Sequence, residues 1–297
     1  MLAKTLLQSS GLESQSLQGR SPGTEEKRRL IWSVFLLVYV YGQQQLTPSL
    51  MEDIHDPRFF KLEADPQHTS DRCPALPHEP YGDDGEHSVG IWSYMVSILS
   101  LWTELRTYIS KCADGQMGAP WKPESTYTLI NSHVLELERK FPKFCRYDSA
   151  NFAQESAAEV SAKRDFWLPW FRVQVQYHTV YCVMNHPFLF SAAKPRTVTG
   201  SNAFWKSASQ LALSHSTWIS RLLYMAKEKD LHLSDPAFTY SAVIAATLHS
   251  YWSRVSDPVL KATADSNLQT CQDFVENWGP KWPICQYFVR TVITTGS

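Results

Sequence analysis

No Cys-x-x-Cys pair occurs in these 297 residues; the six cysteines, Cys73, Cys112, Cys145, Cys182, Cys271 and Cys285, stand apart. That scatter writes neither a zinc ribbon nor a redox dithiol, and buried free thiols are the expectation. Net charge is scarce as well, at -1. With no positive field to draw the chain to phosphates, direct nucleic-acid binding is not expected. The densest basic run, Lys27 to Arg29, follows Glu25 and Glu26 and reads as an exposed helix start. Long apolar runs are missing too. The longest, Val34 to Tyr41, falls far short of the roughly 20 residues that cross a bilayer, so no membrane span is expected. The first residues lack an apolar core followed by a small-residue cleavage site, which points to an intracellular, reducing compartment. There is no Gly-x-Ser-x-Gly elbow, phosphate-binding glycine loop or His-Glu-x-x-His. Neither catalysis nor a cofactor is expected.

What is present is a packed helical globule. Hydrophobic residues make up 43% against 19% charged, and Trp, Tyr and Phe number 11, 13 and 14, which excludes a disordered chain. Residues 1–24, rich in Ser, Gln and Gly, read as a flexible lead-in, and 25–297 as one domain. From Thr24, a candidate N-cap, EEKRRLIWSVFLLVYVYG predicts a helix that is apolar nearly all round and stops at Gly42. Prolines recur from Pro48 to Pro80, so residues 43–87 read as a long irregular loop.

Beyond it, Ile91, Met95, Ile98, Leu101, Trp102, Leu105, Tyr108 and Ile109 recur at helical spacing, and Tyr127, Ile130, Val134, Leu137 and Phe141 form a second stripe. From Asp165 to Asn185, Trp170, Val173, Tyr177, Val180, Tyr181 and Met184 predict a helix apolar along one side, with Pro169 comfortable only in its first turn. Another helix is expected over residues 204–229. Ser-Asp-Pro occurs at Ser234 to Pro236 and again at Ser256 to Pro258. Each Asp can cap a helix whose first residue is the Pro, where a missing N–H is harmless. No alternating strand run is bounded by hairpin turns, so the fold class is all-α, an irregular multi-helix domain.

The segment YHTVYCVMNHPFLF, residues 177–190, supports two stories. On a helix, His178, Cys182 and His186 recur every four residues on one face and are candidate metal ligands. Pro187 opposes helical geometry at His186, and the same letters read equally as a buried helix that ends there. His178 is also a candidate base with Asp165 as its acid, though thirteen residues separate them. Trp92, Trp102, Trp167, Trp170, Trp205, Trp218 and Trp252 are candidates to line a pocket for an apolar small molecule, against the simpler role of core packing.

Taken together, the pattern resembles the fungal-specific transcription factor domain, the middle homology region that accompanies binuclear zinc-cluster DNA-binding modules. Three stretches carry the resemblance: the helix with Arg28, Arg29 and Trp32; Tyr177-His178 followed by His186, Pro187, Phe188 and Leu189; and the order of helices from Trp205 to Phe288, with Pro236-Ala237-Phe238 and Trp282-Pro283. Val38 and Tyr39 stand where the family places Asp-Arg, Gln43 and Gln44 replace its Arg-Pro, and no six-cysteine cluster precedes the domain. The chain therefore reads as N-terminally truncated relative to a complete regulator. The resemblance gives Arg28, Arg29, Trp32, Tyr177, His178, Pro187 and Phe188 a scaffold role. It implies a nuclear, non-enzymatic transcriptional regulator of a fungal gene set, of the kind that serves specialised metabolism. Such a module would act without its own zinc cluster, through a protein partner or homodimer and a small-molecule effector. The alternative is a small-molecule-binding protein or enzyme of specialised metabolism on the same scaffold.

Overall fold

Short polar caps open four of the described helices. The computed structural model describes residues 91–116, 118–141, 145–190, 202–278 and 281–282. Within them lie eight α-helices and no strand: α1 (Ile91–Ala113), α2 (Thr126–Lys140), α3 (Tyr147–Ala150), α4 (Ala157–Ala162), α5 (Arg164–Met184), α6 (Asn202–Glu228), α7 (Pro236–Trp252) and α8 (Pro258–Trp278). Two 3-10 turns, Phe152–Gln154 and Pro187–Phe190, complete the order. The fold is all-α. The expected Thr24 helix, the loop 43–87, and Arg28, Arg29 and Trp32 lie outside the described residues.

Both Ser-Asp-Pro signals start helices. Asp235 accepts the N–H of Ala237 at 2.9 Å to open α7. Asp257 accepts those of Val259 and Leu260 at 2.9 and 3.1 Å to open α8. Ser125 caps α2 by accepting from Thr128. Ser156 and Glu159 form a reciprocal capping box at α4. At the far end of α1, Gly115 takes φ +68°, a left-handed turn that glycine adopts without Cβ strain.

One expectation needs correction. Helix α5 is not apolar along one side but buried nearly all round, because α1, α6 and α7 all pack on it. Its polar letters are consequently inside, and most find partners there, although Trp167 Nε1 and Gln176 Nε2 are buried without a hydrogen bond among the described residues. Arg172, buried, donates to Gln176 Oε1 at 2.6 Å, pairs with Asp235 across 3.2 Å and lies over the Phe238 ring. Trp170 Nε1 donates to the Cys145 carbonyl at 2.7 Å, and Thr179 to the Val175 carbonyl. Pro169 also departs from expectation: it is the sixth residue of α5, beyond the first turn. Its missing N–H costs the bond to the carbonyl of Asp165, which lies at the exposed end of the helix where water can take its place. Trp167, Trp170, Phe166, Phe171 and Phe152 fill the centre of the core with edge-to-face and stacked contacts. No described helix is long and apolar enough to cross a membrane.

Candidate functional site

Helical spacing puts His178 and Cys182 on the face of α5 that meets α6, but each finds a different partner. His178 Nδ1 lies 2.8 Å from His215 Nδ1. Cys182 Sγ, fully buried, points at the Ala212 carbonyl 3.9 Å away. His186 falls beyond the C-cap Asn185, before the turn that Pro187 opens, and its Nε2 meets Thr247 Oγ1 of α7 at 3.1 Å. The three candidate ligands therefore diverge. Burial, and then the proximity of Cys271, pushes the Cys182 thiol well above its ordinary value, so it stays protonated rather than becoming a ligating thiolate. Among the described residues no group of three or more His, Cys, Asp or Glu is placed to hold a metal ion. Asp165 is exposed at the start of α5 while His178 is buried. Thirteen residues of helix, about 20 Å, separate them.

What surrounds His178 is a cavity of about 320 Å³ between α1, α2, α3, α5 and α6. Tyr94 and Ile98 come from α1, Leu137 and Glu138 from α2, Tyr147 from α3, with Phe141 and Arg146 from the connection between the last two. Helix α5 adds Val173, Gln174, Tyr177 and His178, and α6 adds Ser214, His215 and Trp218. Among the tryptophans named above whose side chains are described, Trp218 lines it. Trp102, Trp167 and Trp170 are core.

The rings are held in fixed relations. Trp218 stacks on His178 with planes 6° apart and meets Tyr147 edge-on, while the Arg221 guanidinium lies 4.8 Å from the Trp218 ring centre. Tyr181 stacks on His215 at 4.1 Å. The tyrosine hydroxyls at the cavity donate to protein acceptors: Tyr94 to the Lys140 carbonyl, Tyr147 to Met225 Sδ and Tyr177 to Glu138 Oε2. Burial raises the Tyr177 pKa, so its hydroxyl remains a donor.

The histidine pair has a definite protonation logic. Burial pushes His178 well below its ordinary value, with His215 adding to the effect, and burial lowers His215 to about 4. Both rings are neutral at pH 7. A bond between two Nδ1 atoms then needs one to carry the hydrogen and the other to be bare. The two Nε2 atoms are thereby complementary, one an acceptor and one a donor. Sequence inspection singles out His178 but not His215 or Glu138, which reach the cavity from other helices, nor Arg146, which reaches it from the connection before α3.

A second, larger groove of about 580 Å³ lies between α6 and α8, with the connection from α6 to α7 along it. Leu223, Lys227, Asp230, Asp273, Phe274 and Trp278 are among the residues that line it.

No protein-family model matches the chain, and no solved structure matches it. Curated proteins do. A Zn(2)-C6 fungal-type transcription factor of Fusarium oxysporum f. sp. lycopersici, FTF1c, is 23% identical over 287 residues, covering 91% of this chain. FTF2 of the same organism is 24% identical over 218 residues, 71% of the chain. FTF1a is 23% identical over 218 residues. The chain is a homologue of fungal Zn(2)-C6 transcription factors. These homologues are regulators by name, not enzymes. The matched region spans 29% of FTF1c and 19% of FTF2, less than a third of either relative.

Proposed function

We propose that this chain is a regulatory module that controls transcription of a fungal gene set, within a specialised-metabolism programme, and acts in the nucleus. The observation that carries this reading is the extent of the likeness to transcription factors, 91% of the chain against FTF1c, combined with an all-α body. Within these residues there is no six-cysteine cluster and the net charge is -1. Base readout is therefore left to another module or to a partner protein, and this region contributes regulation through a protein partner or a second copy. Tyr177, His178 and Pro187 serve the scaffold, fixing where α5 meets α2 and α6 and where it ends.

Deletion of the gene, followed by transcript profiling and imaging of a fluorescently tagged chain, tests this reading. Coherent change in a defined gene set with nuclear fluorescence is expected. A cytosolic protein whose loss stalls one metabolic step and leaves transcripts unchanged would overturn it.

A further inference from the structure

The cavity around the histidine pair has a composition that selects its occupant. Its walls are rings and aliphatic side chains: Tyr94, Phe141, Tyr147, Tyr177 and Trp218 with Leu137. Flat walls of this kind favour a planar ligand, which gains stacking and edge contacts beyond its buried area. At about 320 Å³ the space lies at the small end of ligand pockets and suits one or two fused rings. Charge selects further. At the rim, Glu138 and Arg146 are opposite in sign and adjacent, the Arg146 guanidinium donating to the Glu138 carbonyl at 3.3 Å. Inside, both histidines are neutral. A ligand with net charge gains nothing from such a field and loses its hydration.

The remaining selection is polar. Tyr94, Tyr147 and Tyr177 already donate to the protein. Among the described residues, neither outer histidine nitrogen has a hydrogen-bond partner beyond the shared Nδ1 contact. The pair thus offers one donor and one acceptor at its outer nitrogens, whichever ring carries the shared hydrogen. A hydroxyl both donates and accepts, so it can serve either outer nitrogen; a carbonyl only accepts and serves the donor alone. We infer that this cavity is a binding site for a small, uncharged, hydroxylated aromatic molecule, with its ring among Phe141, Tyr177 and Trp218 and its hydroxyl on the His178–His215 pair.

Isothermal titration of the full 297-residue chain at pH 7.5 tests this with 2-naphthol and naphthalene as probes. Wild-type protein is expected to bind 2-naphthol roughly tenfold more tightly than naphthalene, about the effect of one hydrogen bond. The double variant His178→Phe, His215→Phe removes both outer nitrogens while keeping the ring volumes and should bind both probes alike. Ser214→Trp places a bulky ring at the exposed lip of the cavity, away from the core, and should abolish binding of both. No binding of 2-naphthol, equal affinity of wild type for the two probes, or unchanged binding in Ser214→Trp would each overturn the proposal; the wild-type comparison needs no variant to fold. Because the measurement involves no transcription, its failure leaves the regulatory reading untouched, and a failure of that reading leaves the site untouched.

Discussion

Four histidines among the described residues, His178 and His249 buried and His186 and His215 half-buried, are held as neutral rings, and that has a direct cost in acid. Burial lowers His186, His215 and His249 to about 4, and burial followed by the neighbouring His215 lowers His178 well below its ordinary value. In the unfolded chain these rings titrate near pH 6.5. Between about pH 6.5 and 4 the unfolded state binds more protons, so stability is full above that window and falls as pH drops through it. Each fully buried ring contributes a slope of up to about 1.4 kcal/mol per pH unit. Urea titrations at pH 7.5 and pH 5 should show a markedly lower midpoint at pH 5. The double variant His178→Phe, His215→Phe should flatten that difference. Glu159, held low by the Ser156 backbone N–H, and Glu136, held low by Lys140, act only further down, as carboxylates protonate. At this scale the sequence is half legible. His178 stands out by its spacing from Cys182 and His186, but its actual partner is 37 residues away, and no periodicity relates positions on separate helices.

Among the elements, the two Asp-Pro helix starts look identical in sequence and differ in what they hold. Asp257 caps α8 and nothing more is seen of its side chain, so Asp257→Ala should cost about 1 kcal/mol. Asp235 caps α7 and also faces Arg172, which is 5% exposed in the middle of α5. Its loss removes a charged partner from a buried guanidinium, and because the Asp235 carboxylate is itself partly exposed to water, Asp235→Ala should cost about 1–2 kcal/mol beyond the loss of the cap. Denaturant unfolding of the two variants side by side checks the contrast; equal losses would show that Gln176 and Phe238 suffice for Arg172. The caps themselves are readable because they are local, each a hydrogen bond spanning two or three residues. The all-round burial of α5 is not. Arg172, Gln174, Gln176, His178 and Thr179 make its sequence look two-faced, and only partners from the connection before α3, from α6 and from α7 explain why those residues are inside.

Across the whole molecule, the aromatic load resolves into two uses. Trp167 and Trp170 have no exposure and make the centre of the core, whereas Trp218 lines the cavity at its side. Trp170→Ala should therefore destabilise the domain by about 3–5 kcal/mol. Trp218→Ala, at a half-buried site, should cost less, and thermal melts of the two variants rank them. An all-α class follows from periodicity alone, but core tryptophan and cavity tryptophan occur at the same helical spacing and are separated only by which helix arrives opposite. The order of arrival has a consequence in time. Helix α5 is covered by α1, made before it, and by α6 and α7, made after it. About 70 residues separate Met184 from Trp252, which at 5–20 residues per second is on the order of several seconds of synthesis. For that interval each nascent chain carries a helix destined for burial nearly all round with only part of its cover, apolar surface of the kind that invites aggregation during synthesis.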